Sequence, residues 1–138
     1  MPGIHFFNKG TTFKLAGPRK TTNWIHKVAQ SEGSEIGELN YIFCSDKFLL
    51  GINQLYLNHD TYTDIITFDM SEGDFIEGEI YISIPRVREN ARMQKVTFQD
   101  ELDRVIIHGL LHLLGYSDKG VRKKALMRKK EDASLSLR

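Results

Sequence analysis

The 138-residue sequence contains one cysteine, Cys44. An intramolecular disulfide and a thiolate metal cluster are therefore excluded, and any metal site must be built from histidine and carboxylate. Long apolar runs are missing as well. No stretch approaches the roughly 18 consecutive apolar residues of a membrane span, and the opening MPGIHFFNKG lacks the apolar core of a secretory leader. A cytoplasmic location with no membrane attachment is expected. Neither GxGxxG nor a GKS/GKT phosphate loop occurs, so no nucleotide cofactor is expected. The three prolines, Pro2, Pro18 and Pro85, fall where element edges are expected, and no repeat, low-complexity tract or linker divides the chain. With 41% hydrophobic and 27% charged residues the composition is that of a folded globular protein, and 138 residues suit one domain spanning 1–138.

Positive charge is absent from one long segment. Between Phe48 and Pro85 there is no Lys or Arg against seven acids, whereas Arg86–Arg138 carries 13 basic and 7 acidic residues. The net charge of +1 hides this asymmetry. Its densest part is KGVRKKALMRKK, where Lys123, Lys124, Lys129 and Lys130 are candidates to hold a polyanion. On charge alone the same run also suits a solvated helix face.

Periodicity places the elements. Residues 21–32, with Trp24, Ile25, Val28 and Ala29 at helical spacing, read as a first helix, and Gly33 and Gly37 as flanking a turn. Glu38–Cys44 alternates as a strand, and Asp46 is a candidate N-cap for a helix through Tyr56. Thr63–Met70 and Gly78–Ile84 read as strands paired in a hairpin. Pro85 suits the first turn of a helix to about Val96, Gln99–Leu114 forms the most apolar helix, and a last helix would carry the basic run with Val121, Ala125 and Leu126 inward. The expected fold is α+β, three-layer and α/β/α-like, with a central mixed sheet of about four strands surrounded by helices. Trp24, Phe6, Phe7, Phe43, Phe48 and Phe68 are assigned to the core.

The chemistry concentrates in DRVIIHGLLHLLGYSD. His108 and His112 are four apart, so on a helix they project from one face and can share a cation. Gly115 permits a sharp turn at the helix end, and six residues past His112 stands Asp118, a hard anionic ligand. A His108–His112–Asp118 set with an open fourth position is a catalytic type of Zn²⁺ site. A helix pair of histidines with core partners is the competing account. Gly109 stands where zinc proteases carry a glutamate base, against ordinary peptide hydrolysis; it would let another backbone approach or leave room for a bulky phosphate group. Asp64 and Thr63 read as organising a strand start, Tyr116 as packing the turn or touching substrate, Glu79 as a surface residue, and Ser83 as lacking a base.

HGLLHLLGY resembles the signature of the YbeY endoribonuclease family, approximately HGxLHLxGYDH. TDIITF and GEIYIS resemble its TDVLSF and GDIVIS strands in the same order, so the likeness spans about residues 39–118. The resemblance implies a metal-dependent, single-strand-specific endoribonuclease that matures the 3′ end of 16S rRNA and acts in ribosome quality control. Single-stranded RNA, with rRNA first, is the implied partner, together with the ribosome or small-subunit proteins. It implies one Zn²⁺ on a helix near the C-terminus, with the first two ligands on His108 and His112. The third, a histidine in the usual pattern, falls on Asp118, whose extra negative charge weakens Lewis acidity and opens the site to another divalent metal. His59 and His26 are alternative donors. The family's arginine after a tyrosine is replaced by Leu57 in YLNHDTYTD, which leaves Arg86 or Arg88 as substitutes for a phosphate-binding cation. That loss raises an alternative, a ribosome-assembly factor that binds rRNA and uses its metal for structure. The resemblance assigns no catalytic base.

Overall fold

The computed structural model describes residues 3–57 and 62–138. Four strands, β1 (Gly3–Lys9), β2 (Glu35–Cys44), β3 (Ile65–Asp69) and β4 (Phe75–Ser83), form one sheet in the order β1-β2-β4-β3. β1 and β4 run parallel to β2, and β3 closes the sheet antiparallel to β4 as the expected hairpin. Helices α1 (Pro18–Ser31), α2 (Asp46–Leu57), α3 (Ile84–Gln94), α4 (Phe98–Leu113) and α5 (Val121–Leu135) complete the expected α+β architecture. No described helix is long and apolar enough to cross a membrane.

Alternation along the strands divides the core between the two faces of the sheet. Leu39, Tyr41, Phe43, Ile80 and Ile82 point to one face, where they pack on Trp24, Ile25 and Val28 of α1 and on Leu102, Ile106 and Leu110 of α4. Cys44, Ile66, Phe68 and Tyr81 point the other way, against Phe48, Leu49 and Ile52 of α2. Trp24 and Phe43 are buried as expected, while Phe6, Phe48 and Phe68 are partly buried. Phe7 is half exposed because its place in β1 turns it away from the main core.

Several boundaries differ from the sequence reading. The fourth strand, β1, is one that residue pattern did not place: it is an edge strand held by seven-residue parallel pairing to β2. Helix α1 begins three residues early because Pro18 starts it from a left-handed Gly17. Gly37 lies within β2, not at a turn. It sits at a register shift between Ile36 and Leu39, and a Cβ there would stand 2.7 Å from the Glu77 carboxylate. The cap of α2 is Ser45, whose hydroxyl accepts from the Phe48 amide at 3.1 Å. Asp46 instead occupies the first turn, where the helix dipole favours it, and binds Arg86 Nε at 3.0 Å. Ser83 caps α3 through the Arg86 amide and donates to Asp46.

The last helix departs most. Val121 and Leu126 are exposed at 87% and 45%, and Ala125 is also exposed, whereas Met127, Glu131 and Ser134 are buried. Met127 and the partly buried Leu135 are its apolar contacts with the core, and the rest of its seating is polar. Trp24 Nε1 donates to the Ser134 carbonyl at 2.8 Å, Lys130 pairs with Glu32 at 3.1 Å, and Arg104 binds Glu131 and Asp132.

Candidate metal centre

Helix α4 is set firmly in place before it reaches the histidines. The Thr97 hydroxyl accepts from the Asp100 amide, and Asp100 and Glu101 add negative charge to the first turn. The buried Tyr41 hydroxyl donates to the Ile106 carbonyl at 3.0 Å, tying β2 to the turn just before His108. Gly109 lets α4 lie close on the sheet: a Cβ there would meet Ile80 Cγ2 at 2.9 Å and Ile65 Cδ1 at 3.0 Å. Its role is helix–sheet contact, so the alternative of space kept for a bulky phosphate group does not hold.

The end of α4 turns the chain back over the histidines. Gly115 has φ +104°, its amide bonds the His112 carbonyl at 3.0 Å, and the Tyr116 amide bonds the Leu111 carbonyl at 3.0 Å. These paired bonds form a Schellman motif, which a left-handed glycine completes. The turn brings Asp118 back, with Oδ2 3.4 Å from His108 Nε2 and 3.6 Å from His112 Nε2. The two Nε2 atoms are 3.0 Å apart. His108, His112 and Asp118 are the described group of three or more His, Cys, Asp or Glu residues whose ligand atoms converge, within 4.8 Å. His26 is not among them, and His59 lies outside the described residues.

Hydrogen bonding at the far ring nitrogens shows what this triangle accepts. His112 Nδ1 faces the Tyr116 carbonyl at 3.1 Å, and His108 Nδ1 faces Glu131 Oε2 at 2.6 Å. Both partners are acceptors, so both Nδ1 atoms carry a hydrogen, and each ring in its neutral form presents an Nε2 lone pair. With both rings neutral, two lone pairs and a carboxylate oxygen face one another, and a cation satisfies all three. The edges of 3.0, 3.4 and 3.6 Å bracket the edge of about 3.3 Å of a tetrahedron with bonds of about 2.0–2.1 Å. The residues therefore fit a divalent metal.

Charge around the two rings is unequal. Burial lowers the His108 pKa, but the Glu131 hydrogen bond and charge, with Asp118 and Asp64, outweigh it and leave the pKa raised. His112 goes the other way, lowered by burial and by the charge on His108, with Asp118 offsetting part. For Glu131, burial raises the pKa, yet His108 and Arg104 hold it below the usual carboxylate value.

A cavity of about 260 Å³ opens beside His108, with Asp64, Glu101, Arg104, Asp118, Arg128 and Glu131 on its walls. Asp64 does organise the strand start, its carbonyl accepting from the Ser83 amide, but its carboxylate also faces this cavity and takes a bond from Asn90. Burial pushes the Asp64 and Glu101 carboxyls up. Neither proposed substitute for the arginine missing at Leu57 lines it. Arg86 pairs with Asp46 and lies over Tyr62, and Arg88 lies over Phe98. The cations present are Arg104 and Arg128. Arg104 was legible, since it is four residues before His108 on the same helical face. Glu131 was not, because an acid within KKED reads as surface charge.

The lysines of α5 divide. Lys123, Lys124 and Lys129 are exposed, whereas Lys130 is partly buried, paired with Glu32 and placed over the Tyr116 ring at 5.4 Å. Tyr116 packs the turn, its hydroxyl donating to Glu32 at 2.5 Å. Glu79 is partly buried on the sheet and accepts from the Tyr81 hydroxyl.

Comparison with known proteins gives the family. The family model described as endoribonuclease YbeY matches residues 7–137. The endoribonuclease YbeY of Cytophaga hutchinsonii is 54% identical over 136 residues, covering 98% of this chain and 95% of its own. That of Flavobacterium psychrophilum is 55% identical over 131 residues, covering 95% and 94%. Among solved structures, the solution structure of TM1509 from Thermotoga maritima matches at TM-score 0.68 and 30% identity, over 97% of this chain and 87% of that one. A histidine pair on a glycine-terminated helix, a returning carboxylate and matches over nearly the whole length lead to one conclusion: this chain belongs to the endoribonuclease YbeY family.

Proposed function

We propose that the chain is a Zn²⁺-dependent endoribonuclease, specific for single strands, that matures the 3′ end of 16S rRNA and serves ribosome quality control in the cytoplasm. The whole chain, 1–138, acts as one catalytic domain. The observation that carries the reading is the convergence of His108 Nε2, His112 Nε2 and Asp118 Oδ2 in a chain of this family. These three atoms hold the metal. When bound, the cation supplies Lewis acidity toward an oxygen of the scissile phosphate. Its negative third ligand moderates that acidity and allows another divalent metal to substitute.

The remaining residues bind and orient. Arg128 is exposed at the mouth of the cavity beside His108 and offers a guanidinium to the RNA backbone. Lys123, Lys124 and Lys129 extend positive charge along α5, while Lys130 contributes by keeping that helix seated. The ribosome or its small-subunit proteins would present the RNA. The alternative of a pure assembly factor is not favoured, since the relatives that cover nearly the full chain carry the name endoribonuclease.

The test is cleavage of a single-stranded 16S rRNA 3′-end substrate beside its duplexed form, after chelation and again after adding Zn²⁺. Cleavage confined to the single strand and restored by metal is expected. A folded, Zn²⁺-loaded protein that cuts neither would refute the proposal.

A further inference from the structure

Every acceptor on the Glu131 carboxylate is committed to one side of helix α4. Oε1 takes Arg104 Nη1 at 2.8 Å and Oε2 takes His108 Nδ1 at 2.6 Å. Arg104 and His108 stand one turn apart on α4, so the carboxylate from α5 bridges two successive positions of that helix. Glu131 is 7% exposed at its side chain and Arg104 21%, which leaves water little share in either bond. A second bond from Arg104 to Asp132, at 2.8 Å, fixes the guanidinium that fixes the carboxylate.

We infer that Glu131 is a positioning residue for the metal centre: it sets His108 in the Nδ1–H tautomer and aims its Nε2 at His112 and Asp118. The inference rests on the reading of that triangle as the metal site. An imidazole has two neutral tautomers, and only the one with a bare Nε2 can ligate there. The neighbouring His112 receives the same instruction from a main-chain carbonyl, which no side-chain substitution removes. His108 receives it from a side chain 23 residues away on another helix. The last helix therefore belongs to the metal site as well as to RNA binding.

A carboxylate has an acceptor for each partner, whereas an amide has only one. In Glu131→Gln the amide NH2 must face either Arg104, donor against donor, or His108 Nδ1. The second choice is relieved when the imidazole hydrogen moves to Nε2, where it blocks ligation. Outer partners of metal-bound histidines typically contribute about 10–100-fold in metal affinity.

The test uses the full chain labelled with ¹⁵N-histidine. In metal-free wild type, at a pH above the raised His108 pKa where the ring is neutral, long-range nitrogen–proton spectra should show the His108 hydrogen on Nδ1 alone. Glu131→Gln should show an Nε2-protonated population at His108 and not at His112. Its Zn²⁺ affinity, from competition with a chromophoric chelator, should fall about tenfold or more. Arg104→Gln acts on the same carboxylate from its other side, and it should lower the affinity by a smaller factor. It also keeps the test decisive should Glu131→Gln fail to fold. Unchanged tautomer and unchanged Zn²⁺ affinity in the folded variants, with wild type binding normally, would overturn the inference. Wild type that takes up no Zn²⁺ would overturn the metal reading and the inference with it.

Discussion

His108 and Glu131 face each other across the α4–α5 interface, with His108 Nδ1 2.6 Å from Glu131 Oε2. The contact raises the pKa of the histidine and holds that of the acid down, each against the effect of burial. It gives the metal-free protein a defined pH signature.

The raised His108 pKa contributes stability that is fully present below its unfolded value of about 6.5 and is lost as pH rises through the folded pKa. The lowered Glu131 pKa contributes stability present above its unfolded value of about 4.3–4.5, and this is lost as pH falls through the folded pKa. In chelator, the Tm difference between wild type and Glu131→Gln should therefore be greatest between about pH 4.5 and 6.5. It should narrow on both sides. A difference that stays flat from pH 4 to 9 would contradict the ion pair.

Gly109 faces the sheet through a space that a methyl group overfills. Replacing it with alanine gains about 1 kcal/mol of helix propensity. Against that, overpacking a core typically costs about 1–3 kcal/mol. The stiff Cγ2 of the buried Ile80, 2.9 Å from the new Cβ, cannot swing away as a side-chain tip would. Gly109→Ala should lower stability on balance and push α4 off β3 and β4, carrying both histidines with it. Urea denaturation with a paired Zn²⁺ titration checks both effects. Stability equal to or above wild type would show that the sheet yields.

The basic helix should separate into two roles. Replacing Lys123, Lys124 and Lys129 with alanine should reduce the slope of log affinity against log salt for single-stranded RNA by about 2, at about 0.7 per contact. Lys130→Ala should instead lower Tm through loss of its Glu32 and Tyr116 contacts, with little change in slope. An unchanged slope in the triple variant would return the helix to an ordinary solvated surface.

Local patterns in the sequence carried the site further than the fold. The spacing of His108 and His112, the glycine after the helix and the carboxylate six residues on are features of a single stretch, and the structure joins them as that stretch implied. The β3–β4 hairpin was legible for the same reason, since β-branched runs flank a short turn. Strand β1 was not, because it is defined by pairing to β2, as of Gly3 with Glu38, and its alternation is broken by apolar Phe7 followed by polar Asn8. The inward face of α5 was misread because periodicity assumes apolar burial. Here Glu131 and Ser134 are buried through bonds to Arg104, His108 and Trp24, residues that no local window contains.

The central claim is that the converging triangle at the C-terminal end of α4 holds a metal required for RNA cleavage. The most direct measurement is cleavage of a single-stranded rRNA 3′-end substrate by wild type and by His112→Ala, each chelated and then given Zn²⁺. His112 lies at the edge of α4 with its side chain 27% exposed, so the variant is expected to fold. Cleavage restored by Zn²⁺ in wild type and absent in folded His112→Ala that still binds the RNA is the predicted result. Equal cleavage by the two proteins, or cleavage that survives chelation, would contradict it.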